Sequence, residues 1–329
     1  MWEGNINKDK IGIQANTLTM SKQLPITFDG KNLPPQETVD LYATTFENEL
    51  SPLNEETLKS QIQAVKGLLY NRDYLNAFDD QINRAAYVSR WSPSRSLCYT
   101  TLFTHLKPVY ELLSQGSSHV LCVGGGAGGE LVSLANIFTM ANVSDNAFDG
   151  TMKVDLIDIA NWDDIIQRLV TSINTKWLYQ ADRSQRFMVN FQNKDALMMN
   201  DIELLGDLDL ITILFTANEL FTEQRAPTLQ FLQRLSKHCK PGCKLLIVES
   251  AGSYSHITMP SGKKFPIQFL LDTVLVGTSS SQKSKKQDRE GDWDLLEQDD
   301  STWYRGDTKV MYSLKLENMR FFYRLYQHK

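Results

Sequence analysis

Short apolar runs rich in branched residues recur from residue 117 onward, each followed by a polar turn and a helical pattern. The first is Val-Leu-Cys-Val at 120–123, the length of one buried strand. The spacing then predicts a helix from Glu130, with Leu131, Leu134, Ala135 and Phe138 on one side. Runs at 152–159, 186–191, 208–215 and 244–249 predict four more strands, with helices from Asn161 and over 223–237 among them. Near-continuous apolar strands separated by helices are the pattern of a parallel sheet covered on both faces. The expectation is a doubly wound α/β domain over 117–329, with an insertion around 256–300. Inside the insertion, 265–276 reads as helix or strand and 279–290 as a polar, charged loop. Alternation at 309–316 and 319–326 predicts a closing antiparallel hairpin at the sheet edge, for seven strands in all.

Ahead of this domain the pattern differs. Residues 1–50, with Pro25, Pro34 and Pro35, read as an irregular arm with a short helix near 37–49. Residues 51–116 read as a helical extension. Ser51-Pro-Leu-Asn-Glu-Glu56 is a helix start, and Leu58, Ile62, Val65 and Leu69 follow at helical spacing. A second helix is expected over 74–87, with Leu75, Phe78 and Ile82 inward. Pro93 then predicts a break within Arg90-Trp-Ser-Pro-Ser-Arg-Ser96. That run supports two readings: a phosphate or cofactor-tail site, or a capped helix start with Trp91 packed as a lid.

Composition narrows the picture. The chain has 329 residues, 42% of them hydrophobic, which excludes global disorder. No run approaches the 18 apolar residues of a membrane span, and no secretory signal is visible. The formal charge of −5 argues against a broadly basic nucleic-acid coat but not against a local patch. Such a patch is suggested at 238–290, where eight Lys/Arg stand against four Asp/Glu. Cys122 lies in the first apolar run and reads as core. Cys239 and Cys243 flank a Pro-Gly turn without a second pair, so no metal site is expected and a reducing compartment fits.

Candidate chemistry centres on Gly124, Gly125, Gly126, Gly128 and Gly129, between the first strand and its helix. Glycine there lets backbone approach a ligand while helix N–H groups face it. In a doubly wound sheet, ligands bind beyond the carboxyl ends of the strands. Asp158 stands at one such end, where a carboxylate suits a ribose diol. Asn193 and Asp195 follow the third strand and could meet an adenine. Asn218 and Glu219 follow the fourth, beside the reactive end. Gly124, Gly126 and Gly129 also satisfy Gly-x-Gly-x-x-Gly, so the glycines alone fit a dinucleotide enzyme equally well.

The Lys240-Pro-Gly-Cys243 entry to the fifth strand and the closing hairpin break that tie. Together with residues 120–130, Asp158, Asp195 and residues 210–220, they resemble the class I S-adenosylmethionine-dependent methyltransferases. The resemblance implies a Rossmann-like fold, a mostly parallel seven-stranded sheet and S-adenosyl-L-methionine as cofactor. It implies cofactor contacts from Gly124, Gly125, Gly126, Gly128, Asp158, Ile159, Asn193, Asp195 and Phe215. Arg90-Trp-Ser-Pro-Ser-Arg-Ser-Leu97, Gly124-Gly-Gly-Ala-Gly-Gly-Glu130 and Asp155-Leu-Ile-Asp-Ile-Ala-Asn-Trp162 resemble a fungal family narrower than this. That family includes the large-subunit ribosomal RNA uridine-N3-methyltransferase. It implies an RNA enzyme of the nucleus or nucleolus, the cytoplasm being the alternative, that acts on ribosomal RNA or a pre-ribosomal particle. The expectation is a monomer with no membrane partner. Glu219 is then the candidate base and Asn218 its partner in reading the uracil edge. Arg90, Arg95, Lys263 and Lys264 become candidate phosphate contacts, and Trp91, Phe215 and Tyr254 candidate stacking rings. The open alternatives are a protein or small-molecule methyltransferase, a non-catalytic S-adenosylmethionine sensor, and a nicotinamide enzyme.

Overall fold

The computed structural model describes residues 22–25, 29–145, 147–252, 256–258, 264–277 and 290–329. Seven strands carry the sheet: β1 (Ser118–Val123), β2 (Met152–Asp158), β3 (Phe187–Asn193), β4 (Leu210–Leu214), β5 (Lys244–Ser250), β6 (Trp293–Tyr304) and β7 (Met319–His328). Their spatial order is β6-β7-β5-β4-β1-β2-β3, and the two-residue strand Lys22–Gln23 pairs with the outer edge of β6. The strands β3, β2, β1, β4 and β5 run parallel, whereas β7 runs antiparallel to both of its neighbours. Strand order reverses at β1, so a crevice opens between the ends of β1 and β4.

Period-two alternation distributes the core. Val120 and Cys122 of β1 pack on one face with Leu246 and Val248 of β5. Leu121 and Val123 pack on the other with Leu245 and Ile247. The first face is covered by the helices Gln81–His105, Gly129–Ser144 and Asp163–Lys176. Arg225–His238 and Ile267–Leu275 cover the second. All four cysteines are buried.

Three expectations from the pattern are corrected. The strand paired with β7 is β6, from within the expected insertion, and 309–316 forms no strand. Residues 293–304 alternate too, but their outward positions carry Asp294, Asp300 and other polar groups, which suits an edge strand and hides it from an apolar search. The second correction is at Pro93, which lies inside one continuous helix, Gln81–His105. A proline here removes the N–H that would bond the Ser89 carbonyl. The Tyr312 hydroxyl donates to that carbonyl at 2.8 Å in its place. Leu75 and Ile82, expected inward, are exposed, because the chain breaks between the helices Tyr74–Asp79 and Gln81–His105. Of the eight basic residues at 238–290, Lys263, Lys283, Lys285, Lys286 and Arg289 lie outside the described residues, as does nearly all of 279–290.

At the amino ends of the strands, His119 bridges two carboxylates. Its Nε2 lies 2.6 Å from Asp155 and its Nδ1 2.8 Å from Asp207. The hydrogen bond to Asp155 is the main reason that the imidazole pKa rises, and burial opposes it. Burial would raise Asp155, but its bonds to His119 and Asn190 outweigh burial and lower it. The bond to His119 likewise lowers Asp207.

Two predictions follow from these contacts. Tyr312→Phe leaves the Ser89 carbonyl orphaned in a buried helix and should cost about 1–3 kcal/mol in urea denaturation, with the fold retained. For the histidine, a raised folded pKa gives stability that is complete below the unfolded value of about 6.5 and is lost as pH climbs through the folded value. The lowered carboxylates act at the other end, losing their contribution as pH falls through their folded values. The melting temperature of the wild type should therefore exceed that of His119→Gln most near pH 5.5–6.5, on the order of the unfolded histidine value. The gap should shrink toward pH 9; a gap that is level across this range contradicts the charged bridge.

Candidate active site

The carboxyl ends of β1, β2 and β4 open on one cavity of about 640 Å³. Val123 and Gly124 enter from β1, Ile157 and Asp158 from β2, and Leu214 and Phe215 from β4. The facing wall belongs to the helical extension, through Leu69, Arg72, Tyr74, Phe78 and Tyr87. The site is thus built between the sheet and a layer ahead of it in sequence.

The glycine turn is shaped by what crowds it. Gly124 has φ +74°, and a Cβ there would lie 2.5 Å from the Thr216 Oγ1. At Gly126 a Cβ would lie 1.9 Å from Cδ1 of the buried Trp162. Asp158 braces the turn from β2: its carboxylate accepts the Gly126 N–H at 3.1 Å and the Ala160 N–H at 3.0 Å. Burial raises its pKa to about 6 against those two donors. The helix Gln81–His105 closes the turn from behind. The Ser92 hydroxyl donates to the Ala127 carbonyl at 2.8 Å, and the Ser96 hydroxyl to the Gly129 carbonyl at 3.0 Å.

Beyond β4 the backbone bends sharply. Phe215 adopts φ 58°, a left-handed conformation that costs a bulky residue about 1–3 kcal/mol. Its N–H is held by the Val248 carbonyl at 2.8 Å, and the Arg95 guanidinium lies 3.7 Å from the ring centroid. The bend starts the helix Ala217–Glu223, which presents Glu219 to the cavity. The buried Glu249 at the end of β5 accepts the Asn218 N–H at 2.9 Å and the Ser250 N–H at 2.8 Å, fixing this helix start. Burial raises the Glu219 pKa to about 8; the nearby Glu249, Glu223 and Asp158 push the same way, and a hydrogen bond with Tyr74 pulls back.

Two charged groups on the wall are incompletely bonded among the described residues. The Arg95 Nη1 is buried without a partner, as is the Glu130 Oε1. Burial lifts the Glu130 carboxyl to about pKa 8. Orphaned buried polar atoms of both signs in one cavity suit a ligand that carries a cationic and an anionic group.

Of the residues singled out from sequence, Gly124, Asp158, Ile159, Asp195, Phe215, Glu219 and Arg95 meet on the cavity wall. Gly125, Gly126 and Gly128 shape the turn around it. Asn193 lies outside the wall: its side-chain amide donates to the Asp158 and Ile159 carbonyls at 3.1 and 2.8 Å. Asn218 also lies beside the wall, its side-chain oxygen 3.4 Å from the Thr222 hydroxyl. Arg90 is committed elsewhere, to the Lys315 carbonyl at 2.7 Å and to the Glu317 carboxylate. Trp91 packs on Tyr87, with ring centroids 5.0 Å apart. Tyr254 and Lys263 lie outside the described residues, and of Lys264 only the backbone is described, in a short strand. Sequence reasoning missed Glu130, Tyr74 and Tyr99 as wall residues. Glu130 carried a signal, since an acid directly after the glycines starts the helix. Tyr74 and Tyr99 sit in ordinary helical patterns and carried none.

The model of a family of SAM-dependent methyltransferases matches residues 42–327. The 25S rRNA (uridine(2843)-N(3))-methyltransferase of Saccharomyces cerevisiae is 48% identical over 92% of this chain and 88% of that protein. Among solved structures, the N-methyltransferase NodS of Bradyrhizobium japonicum with S-adenosyl-L-homocysteine is similar at a TM-score of 0.33 and 11% identity, over 82% of this chain and 98% of that one. An O-methyltransferase family protein of Burkholderia thailandensis is similar at 0.38 and 13%, over 82% and 71%. The family match spans most of the chain and the yeast relative covers nearly all of it: the chain belongs to the SAM-dependent methyltransferase family.

Proposed function

We propose that this methyltransferase transfers a methyl group from S-adenosylmethionine to N3 of a uridine in large-subunit ribosomal RNA, in the nucleus or nucleolus. The observation that carries the substrate is the 48% identity with the yeast uridine-N3 enzyme over 92% of the chain. The cavity supports the chemistry. Its residues fit the cofactor: the orphaned Arg95 Nη1 suits the carboxylate of its amino-acid end and the orphaned Glu130 Oε1 the ammonium. Asp158 suits the ribose hydroxyls and Asp195 the adenine side, while Gly124 and Gly126 leave the space that a Cβ would fill. When bound, S-adenosylmethionine supplies a methyl group activated by its positive sulfur.

The protein's own part is to align the acceptor, remove its proton and exclude water. The imide nitrogen of uracil holds a proton at neutral pH. Glu219 is the proton acceptor, placed on the wall with Tyr74 hydrogen-bonded to it. A carboxyl with a pKa raised toward neutrality is a stronger base than an exposed one. Asn218 serves this reading through its backbone N–H, which fixes the helix that carries Glu219. Phe78 and Tyr87 offer faces for a base drawn out of the RNA. Exposed Arg72 and Lys194 stand on the rim, where phosphates would pass.

Labelled S-adenosylmethionine incubated with unmodified large-subunit RNA should yield 3-methyluridine on nuclease digestion. Label in another nucleoside, or only in protein, refutes the assignment. Glu219→Gln should keep cofactor binding and lose about 10²–10⁴-fold in kcat. Gly126→Ala drives a methyl group into Trp162 and should lower the affinity for S-adenosylhomocysteine at least about tenfold in calorimetry, a loss of 1.4 kcal/mol or more. Gly252→Ala, where a Cβ meets nothing within 4 Å among the described residues, is the matching control.

A further inference from the structure

The cavity is acidic for a site that serves a polyanion. Asp73, Glu130, Asp158, Asp195, Glu219 and Glu223 all line it, against the cations Arg72, Arg95 and Lys194. Glu249 adds a buried carboxyl directly behind, on the Asn218 N–H. Around Glu219 the charged and titratable neighbours come from every packed element. Tyr74 and Arg72 belong to the extension, Tyr87 and Arg95 to the helix Gln81–His105, and Asp158 to β2. Glu223 shares its helix, and Glu249 ends β5. Carboxyl groups gathered in a partly closed cavity oppose one another's ionisation, and a cation placed among them relieves the opposition. The cofactor and its product differ in just this respect. The methyl donor carries a positive sulfur; S-adenosylhomocysteine, after transfer, has a neutral thioether. The amino-acid end, which the orphaned Arg95 Nη1 and Glu130 Oε1 suit, is common to both.

We infer that Glu219, ringed by Asp158, Glu223 and Glu249, is the residue that distinguishes the sulfonium donor from its neutral product. The donor's charge converts Glu219 from carboxylic acid to carboxylate. In the free protein Glu219 titrates at about 8, so at neutral pH it is mostly protonated and no base. With the cationic donor bound, Glu219 would give that proton to solvent and, as the carboxylate, would then accept the imide proton. Once the methyl group has moved from sulfur to nitrogen, the sulfur retains the electron pair of its broken bond and is neutral. The proton taken from the imide nitrogen then rests on Glu219, and the carboxylic acid is restored. Each turnover thus begins and ends with Glu219 protonated, and the base exists only while the donor is present. This inference rests on Glu219 being the base proposed above, but it concerns cofactor binding and needs no RNA.

The test is calorimetric titration of the full chain with S-adenosylmethionine and, separately, S-adenosylhomocysteine, in buffers of different ionisation enthalpy from pH 6.5 to 8.5. The donor should release up to about one more proton than the product near pH 7. The ratio of donor to product affinity should rise about tenfold across the range. In Glu219→Gln the extra proton and the change in ratio should vanish while both ligands still bind. In Glu130→Gln proton release should fall equally for both, leaving the difference intact. Equal proton counts for donor and product in the wild type overturn the inference, as does a difference that survives Glu219→Gln. A failure to find 3-methyluridine leaves this binding result standing, so the two readings fail separately.

Discussion

The site depends on the bonding of one helix to one turn. The helix Gln81–His105 sends the hydroxyls of Ser92 and Ser96 to the carbonyls of Ala127 and Gly129. A turn of five glycines in six residues has little conformational preference of its own, and ordering it costs more entropy than any comparable segment. Two hydroxyl donors on a rigid helix offset that cost and fix where the turn's N–H groups point. The same helix carries Arg95 into the cavity, and its opposite face ties down the C-terminal segment. The Ser94 hydroxyl accepts the Glu317 N–H at 2.8 Å, and Arg90 holds Lys315 and Glu317. One helix therefore registers the cofactor turn against the end of the chain.

This explains why Arg90–Ser96 was readable in part only. A run of serines around a proline signals a helix start as long as neighbours in sequence are the only partners considered. The partners that overrule it lie far away: Tyr312 supplies the hydrogen bond that Pro93 cannot, and the glycine turn takes the serines. The same limit holds at β6. Its alternation is present in 293–304, but an edge strand with one polar face resembles a loop until β7 is placed beside it. The parallel strands were legible because burial on both faces leaves them apolar throughout, and the strand-end acids because topology puts every such end on one side of the sheet. What stayed hidden was the contribution of the extension. Tyr74 and Arg72 reach the cavity because the chain turns at Asn71, with Arg72 in a left-handed conformation at φ 58°.

Arg72 and Phe215 are the two non-glycine residues with positive φ among the described residues, and both line the cavity. Strain of this kind persists only where surrounding contacts over-determine it. At Phe215 those contacts are the bond to Val248, the guanidinium of Arg95 on its ring, and the rings of Tyr99 and Phe321 at 6.2 and 6.1 Å. The bend they enforce is what turns Glu219 inward, so the position of the candidate base is purchased by packing on its far side.

An acidic protein acting on RNA is less contradictory than the net charge suggests. Charge acts locally, and a cavity whose charged groups are mostly carboxyls rejects phosphate while accepting a neutral base and a cationic cofactor. On the proposed reading the backbone of the RNA stays at the rim, near Arg72 and Lys194, and the acids lie where only the uracil and the donor go. The field that would repel a polyanion then does two useful things. It adds to burial in holding Glu219 protonated while the cavity lacks a cation, and it favours the one ligand whose arrival makes a base.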